Sequence, residues 1–297
     1  MFGSAFRSAS KVAFLLLFVV CVAQSAFAAS DVELFNAGRA ALKKGDAEAA
    51  ITHFENAIKI KETAEYQYWL GSAYGREAQK VSMLKAAGLA KKTKAAFERA
   101  VQLDPKYVTA RMALVEYYLV APGFMGGSVD KAREMAAEIK KLDVLMGHRA
   151  YARIHMKEKK PELARAELVT AVRAMPTSPD AHYFLGNMYA NEKNYPAALH
   201  EYEYALKLDP NYNPAWFRIG WHAAVTNTDH ARGEEAFKKY LAYTPKDDEN
   251  QHSTTWYYLG MLYEKQGRKA DARNAYQQAL KLVPESKEVK EALKRVG

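Results

Sequence analysis

Two stretches of the chain carry the same residues in the same order. From 179 to 212 run Leu185-Gly186, Tyr189, Ala198, Tyr202, Ala205 and Asp209-Pro210. From 253 to 286 run Trp256, Leu259-Gly260, Tyr263, Ala272, Tyr276, Ala279 and Pro284. The offset is constant, since 259 − 185, 272 − 198 and 284 − 210 all equal 74, and Pro176 stands 34 before Pro210. A fixed period of this size means stacked units that bury their faces against neighbours, not one compact core. Glycine or alanine lets two antiparallel helices touch closely, aromatic rings fill the space between hairpins, and proline ends a helix because it lacks an N–H. No stretch alternates with period two for long, so no sheet is expected.

These residues resemble the tetratricopeptide repeat, whose pattern is W-x2-L-G-x2-Y…A-x3-F…P with a period of about 34. The resemblance implies an all-α, right-handed α-solenoid of about seven helix pairs plus a C-terminal capping helix. Seven units can be laid along residues 29–297. Unit 31–64 shows Ala37-Gly38, Ala50 and Phe54, and unit 64–107 shows Leu70-Gly71, Tyr74, Phe97 and Pro105 with an insertion. Unit 108–144 departs most, keeping Leu114, Tyr118, Ala132 and Ile139 around a loop insertion. Units 145–178, 179–212, 213–247 and 253–286 follow, and 287–297 supplies the charged cap. With 49% apolar and 26% charged residues the chain can bury this much surface, and 16 Gly and 10 Pro are too few for a collagen-like or linker-rich chain. Lys246–His252, with three consecutive acids, reads as a longer loop or a flexible joint before the last unit.

The amino terminus reads as a cleavable signal peptide, residues 1–28. Arg7 and Lys11 precede an apolar run from Val12 to Val22, and Ala26-Phe27-Ala28 forms an A-x-A cleavage signal. The run is too short for a ~30 Å hydrocarbon core. Cleavage would remove two cations and no acid, taking the net charge from +9 to 9 − 2 = +7, and would remove Cys21, the one cysteine. The expected mature chain then has no thiol chemistry, no disulfide and no cysteine-ligated metal. No later stretch is long enough for a transmembrane segment. The expected location is periplasmic or secreted, in a bacterium by the style of the signal.

Two insertions break the period. Around Arg76–Lys94, an apolar stripe of Met83, Leu84, Ala87 and Leu89 accompanies Lys80, Lys85, Lys91, Lys92 and Lys94. It reads either as a pair of lengthened helices packing that stripe on a neighbour, or as a projecting basic hairpin for anionic envelope glycan or lipid. The loop Ala121–Ser128 contains Pro122 and the glycines 123, 126 and 127, which permit positive φ. It is expected to cap the next helix through Ser128 with Phe124 and Met125 tucked back, or to form an anion-binding nest of amides. It lacks the ending of a nucleotide P-loop.

In tetratricopeptide repeats the first helix of each pair lines the concave face. Carrying the family's positions over gives Arg149 and Arg153, then Tyr183, Phe184 and Asn187, then Phe217, Arg218 and Trp221, and Tyr257 with Met261. Residues four apart share a helix face, so Arg149/Arg153, Tyr183/Asn187 and Phe217/Trp221 form three ledges of one groove. Guanidinium forks take carboxylates bidentately and rings add apolar contact. The groove is expected to hold a protein or peptide with acidic or C-terminal carboxylate groups. It partly resembles the family's carboxylate clamp: Arg149 and Arg218 match its basic positions, while Arg153 and Phe184 replace asparagines and Pro214 replaces a lysine.

Catalysis has little support in the sequence. The eight histidines include His148 and His155, seven apart, but no HExxH or carboxylate pair at ligand spacing accompanies them. No residues are left over for a catalytic domain. The chain reads as a non-enzymatic adaptor with no cofactor, no metal and no nucleic-acid partner. The alternative is a binder of anionic envelope glycan or lipid through Lys85, Lys91, Lys92 and Lys94.

Overall fold

The structure, a computed structural model, describes residues 29–243 and 252–297. The expected signal peptide lies outside them, and so does the Lys246–His252 joint except for His252 itself. Fifteen α-helices follow one another among the described residues. They are α1 (Asp31–Lys43), α2 (Ala47–Ile60), α3 (Ala64–Ala78), α4 (Met83–Leu103), α5 (Val108–Val120), α6 (Val129–Leu142), α7 (Val144–Lys157) and α8 (Pro161–Ala174). The series continues with α9 (Pro179–Asn191), α10 (Tyr195–Leu208), α11 (Asn213–Thr226), α12 (His230–Leu241), α13 (His252–Lys265), α14 (Lys269–Leu282) and α15 (Lys287–Arg295). Successive helices pair as α1–α2 through α13–α14, each pair packs on the next, and α15 closes the stack. No strand occurs among the described residues, and none of their helices is long and apolar enough to cross a membrane.

Local chemistry sets the starts and turns. Ser30 and Glu33 form a reciprocal capping box on α1, and Asp46, Thr63, Asp143, Ser178, Asn194 and Ser286 each accept a backbone N–H at a helix start. Between paired helices the chain passes through the left-handed region at Gly45, Lys159, Lys193, Asn227 and Gly267. Positions 159, 193 and 227 are one period apart. The lysines there hold a conformation costing about 1–2 kcal/mol for a residue with a Cβ, which the packing on either side imposes.

That packing repeats one contact. A Cβ added at Gly38, Gly186, Gly220 or Gly260 would meet the ring of Phe54, Tyr202, Phe237 or Tyr276 at 2.5, 2.6, 2.6 and 2.5 Å respectively, and Gly71 faces Phe97 in the same way. The first helix therefore lies directly on the aromatic residue of the second. These rings are buried and join the stacked clusters that run from Phe35 to Val296. At the far end Val289, Ala292 and Val296 are buried while Arg295 forks onto Glu264 at 2.9 and 3.1 Å.

Both insertions differ from expectation. The first is a single long second helix: α4 has 21 residues where α2, α6, α8, α10 and α14 have 14. Met83, Leu84, Ala87 and Leu89 do not form its packing stripe, because Met83 and Leu84 are exposed and Leu89 packs under the first two units. The face toward α3 and α5 is set by 3-4-3-4 spacing, which aligns Met83, Ala86, Ala90, Thr93 and Phe97.

In the second insertion only Gly126 has positive φ, at 92°. Gly127 is needed for room instead, since its Cβ would fall 1.8 Å from the Ala121 carbonyl oxygen. The N–H groups of Met125, Gly126, Gly127 and Ser128 donate to the carbonyls of Pro122, Gly123, Pro122 and Tyr118. The amides from Met125 to Ser128, just before α6, are thus spent internally and do not form the expected anion nest. Ser128 does cap α6, accepting from the Lys131 N–H at 3.3 Å, but Phe124 points into solvent and is not tucked back.

Candidate functional site

First helices of neighbouring units bring Arg149 and Arg153 (α7), Tyr183, Phe184 and Asn187 (α9) and Arg218 (α11) around one cavity of about 480 Å³. Its wall is completed by Glu116 from α5. Six of the ten groove residues expected from sequence, Arg149, Arg153, Tyr183, Phe184, Asn187 and Arg218, are thus neighbours in space.

Their states differ. Arg153 is already engaged, because its Nε and Nη2 donate to both carboxylate oxygens of Glu116 at 2.6 and 2.7 Å. That fork holds the Arg153 guanidinium pKa above its ordinary value against the opposing effect of burial. Arg149 has no carboxylate partner among the described residues; its guanidinium lies 4.7 Å from the Phe184 ring centroid and touches the Met146 sulfur at 3.8 Å. Burial pulls the Arg149 pKa below its ordinary value, and Glu116 works against that pull. The Arg218 guanidinium lies 5.7 Å from the Trp221 ring, and its buried Nε has no hydrogen-bond partner. Asn187 accepts from the Tyr202 hydroxyl at 2.9 Å, which leaves its amide NH2 to donate. The cavity therefore offers two cations without carboxylates, one orphaned donor and two aromatic walls, an arrangement suited to an anionic group.

The other expected groove residues lie elsewhere. Phe217 is a correction: it is buried, with ring centroids of Tyr240, Phe237 and Tyr258 at 5.3, 6.3 and 6.3 Å, because its own hairpin and the next unit close over it. Trp221 packs partly on the same cluster, touching the cavity only through Arg218. Tyr257 stacks near Tyr258 and Tyr276 at 5.4 and 5.9 Å in the last unit, away from the arginines. Of the insertion lysines, Lys92 lies 5.1 Å from the Tyr74 ring and Lys94 pairs with Glu98 at 3.3 Å, while Lys85 and Lys91 are exposed.

Two features escaped the sequence reading. Glu116 neutralises Arg153 from a unit away, and no local motif marks it. A second cavity, of about 530 Å³, lies between α3, α4 and α5 and shares Glu116 with the first. The 3-4-3-4 run from Met83 to Phe97 was its available signal. Two histidines join the helices of a pair: His148 Nδ1 lies 2.6 Å from Glu167 and His182 Nδ1 2.6 Å from Glu201, the same latch one period apart.

Family models of the tetratricopeptide repeat match residues 35–77, 179–212 and 253–286. The general transcriptional corepressor ssn6 of Schizosaccharomyces pombe is 28% identical over 41% of this chain and 11% of its own length. Anaphase-promoting complex subunit 3 of the same yeast is 25% identical over 62% of this chain and 26% of its own length. The chain thus spans no more than about a quarter of these curated relatives. Among solved structures, the APC/C hetero-tetramer Cut9–Hcn1 aligns over 87% of this chain and 48% of its own, with a TM-score of 0.51 at 16% identity. A tetratricopeptide repeat protein from Parabacteroides merdae aligns over 90% of this chain and 98% of its own, with a TM-score of 0.50 at 14% identity. The chain is an all-α solenoid that carries tetratricopeptide repeats.

Proposed function

We propose that this chain is an exported, non-enzymatic interaction scaffold that holds an acidic or C-terminal-carboxylate segment of a partner protein against Arg149 and Arg218. Tetratricopeptide proteins generally act as protein-interaction scaffolds and are typically non-enzymatic. The observation that carries the reading is the pair of guanidinium groups without carboxylates, Arg149 exposed and Arg218 half-buried with an orphaned Nε, converging on one cavity. A buried donor left unpaired costs about 1–3 kcal/mol, and an incoming carboxylate removes that cost. The signal-like run at 12–22 supports export to the periplasm.

The test is a fluorescein-labelled octapeptide ending in two acids and a free carboxylate, titrated by anisotropy. The Arg149→Ala, Arg218→Ala double variant should weaken binding at least ten-fold while keeping the helical circular dichroism of the parent. Equal binding by the two proteins removes the cavity from consideration. Export is tested separately by cell fractionation and N-terminal sequencing, which should find a periplasmic chain starting near Ala29. A cytosolic chain retaining residues 1–28 refutes that part.

A further inference from the structure

The second cavity is unlike the first. It lies beneath the extra two turns of α4, which rise past the end of the ordinary hairpin. Its walls are small: Gly71, Gly75 and Ala78 from α3, Ala86 and Ala90 from α4, and Ala113 from α5. The stripe that Thr93 and Phe97 bury deeper in the stack continues through Ala90 and Ala86 to Met83 with no helix above it. The result is a trough, apolar along its length, between two helices and over a third.

Its polar groups are almost all spent. The Ser72 hydroxyl donates to the Tyr68 carbonyl at 3.0 Å, the Thr93 hydroxyl to the Leu89 carbonyl at 3.0 Å and the Tyr117 hydroxyl to the Met125 carbonyl at 2.7 Å, while Glu116 is held by Arg153. A peptide backbone laid here would lose water and find no partner for its N–H and C=O groups, a desolvation cost without return. An alkyl chain has no such groups to satisfy. The two polar lining side chains that stay exposed, Arg76 in the last turn of α3 and Gln79 at its C-cap, stand three residues apart, so both lie at one end of the trough. Arg76 spends one Nη on the Leu42 carbonyl at 3.4 Å and has no ion-pair partner among the described residues.

Around the mouth lie the four most exposed large apolar side chains of the described residues, Leu84 (88%), Met83 (83%), Phe124 (81%) and Val120 (74%). Val120 lines the trough, Phe124 adjoins the lining residue Met125, and Met83 and Leu84 precede Ala86 on α4. Apolar side chains grouped this way mark a binding surface rather than scattered exposure.

We propose that this trough binds a single long-chain carboxylate, its acyl chain lying along Ala86, Ala90 and Gly75 and its head group held by Arg76 and Gln79. The volume lies within the range of small-molecule sites. Charge complementarity sets the orientation, since a cation and an amide donor stand at one end and the exposed apolar side chains surround the opening. The site shares only Glu116 with the arginine cavity, and the proposal does not rest on the peptide reading.

The test uses cis-parinaric acid, fluorescent on entering an apolar site, with the full chain and ligand below the micelle concentration. Palmitate should displace it, and affinity across saturated acids should rise roughly four-fold per methylene until the trough is filled. Ala90→Phe and Ala86→Trp, which fill the trough, should abolish the signal while leaving the acidic-peptide titration unchanged. That second titration shows that the variants are folded. Arg76→Gln should weaken palmitate about ten-fold but leave palmityl alcohol unchanged. Wild-type fluorescence retained by Ala90→Phe overturns the proposal. So does capture by phosphatidylglycerol vesicles that free palmitate does not reduce, which would make the exposed patch a bilayer contact.

Discussion

Glu116→Gln should make the arginine cavity bind acidic peptides more tightly, although it removes a well-formed ion pair. The Glu116 carboxylate sits on Arg153, one helical turn from Arg149, where neighbouring side chains are about 5–6 Å apart at Cβ. A ligand carboxylate on Arg149 therefore comes within roughly 6–8 Å of a like charge. At an effective dielectric constant near 20, that repulsion amounts to about 2–3 kcal/mol. Arg153 cancels part of it. The pair is also about half exposed, at 52% and 39% for the two side chains, so solvent screens more. A net gain of about 1 kcal/mol remains, roughly five-fold in Kd. The folding cost should be small, since half-exposed pairs contribute about 0–1 kcal/mol.

Anisotropy titrations of the labelled acidic octapeptide at about 0.1 and 1 M salt read this directly. The gain should be present at the lower salt and vanish at the higher, where the Debye length falls to about 3 Å. Arg153→Ala should act in the opposite direction by leaving the Glu116 charge uncompensated, and the double variant should return near the parent. Weaker binding by Glu116→Gln at low salt would mean that the carboxylate helps the ligand, and the assignment of an anionic ligand would fall with it.

Two further predictions concern stability. Gly220→Ala should destabilise by about 1–2 kcal/mol in urea melts, because the added Cβ would sit 2.6 Å from the fully buried Phe237 ring, and overpacking outweighs the helix-propensity gain of about 1 kcal/mol; a variant as stable as the parent would show that this contact yields freely. His222 is buried with its ring 5.2 Å from that of Tyr195, and burial, partly opposed by Asp229, lowers its pKa from 6.5. The unfolded chain therefore holds more protons in the window below 6.5, so stability is intact above that value and falls as pH drops through the lowered folded value. Thermal melts between pH 8 and 5 should show this loss, and His222→Gln should flatten it. An unchanged slope assigns the acid sensitivity to other groups.

The stack was legible because its defining contact is local and repeated. Gly186 and Tyr202, or Gly260 and Tyr276, are 16 residues apart in both units, and the ring occupies the volume the glycine leaves. A chain that keeps such a pair in five units, as far apart as Gly38–Phe54 and Gly260–Tyr276, has few other ways to bury its aromatic residues. The capping Ser128 and the terminal helix with its buried Val289 were legible for the same reason, since each depends on residues within a turn or two. The extra length of α4 was visible as a broken period. Its consequence was not, because whether Met83 lies in a core or over a trough depends on where α5 ends.

The arginine cavity shows the same boundary between local and distant causes. Register placed Arg149, Arg153 and Arg218 on first helices, and the structure brings them together. Register also placed Phe217 there, and it is buried because Tyr240 and Tyr258 cover it, one from its own hairpin and one from the next unit. A position's exposure on such a face is set by the side chains of its neighbours, so an identical register can be groove in one unit and core in another. Charge behaves likewise. Counting arginines along α7 gives two, but Glu116, 37 residues before Arg153, neutralises one of them and leaves the other without a carboxylate. What separates an unpaired arginine from a paired one in this solenoid is thus the absence of a carboxylate on an adjoining hairpin, a property of pairs of units that no single repeat contains.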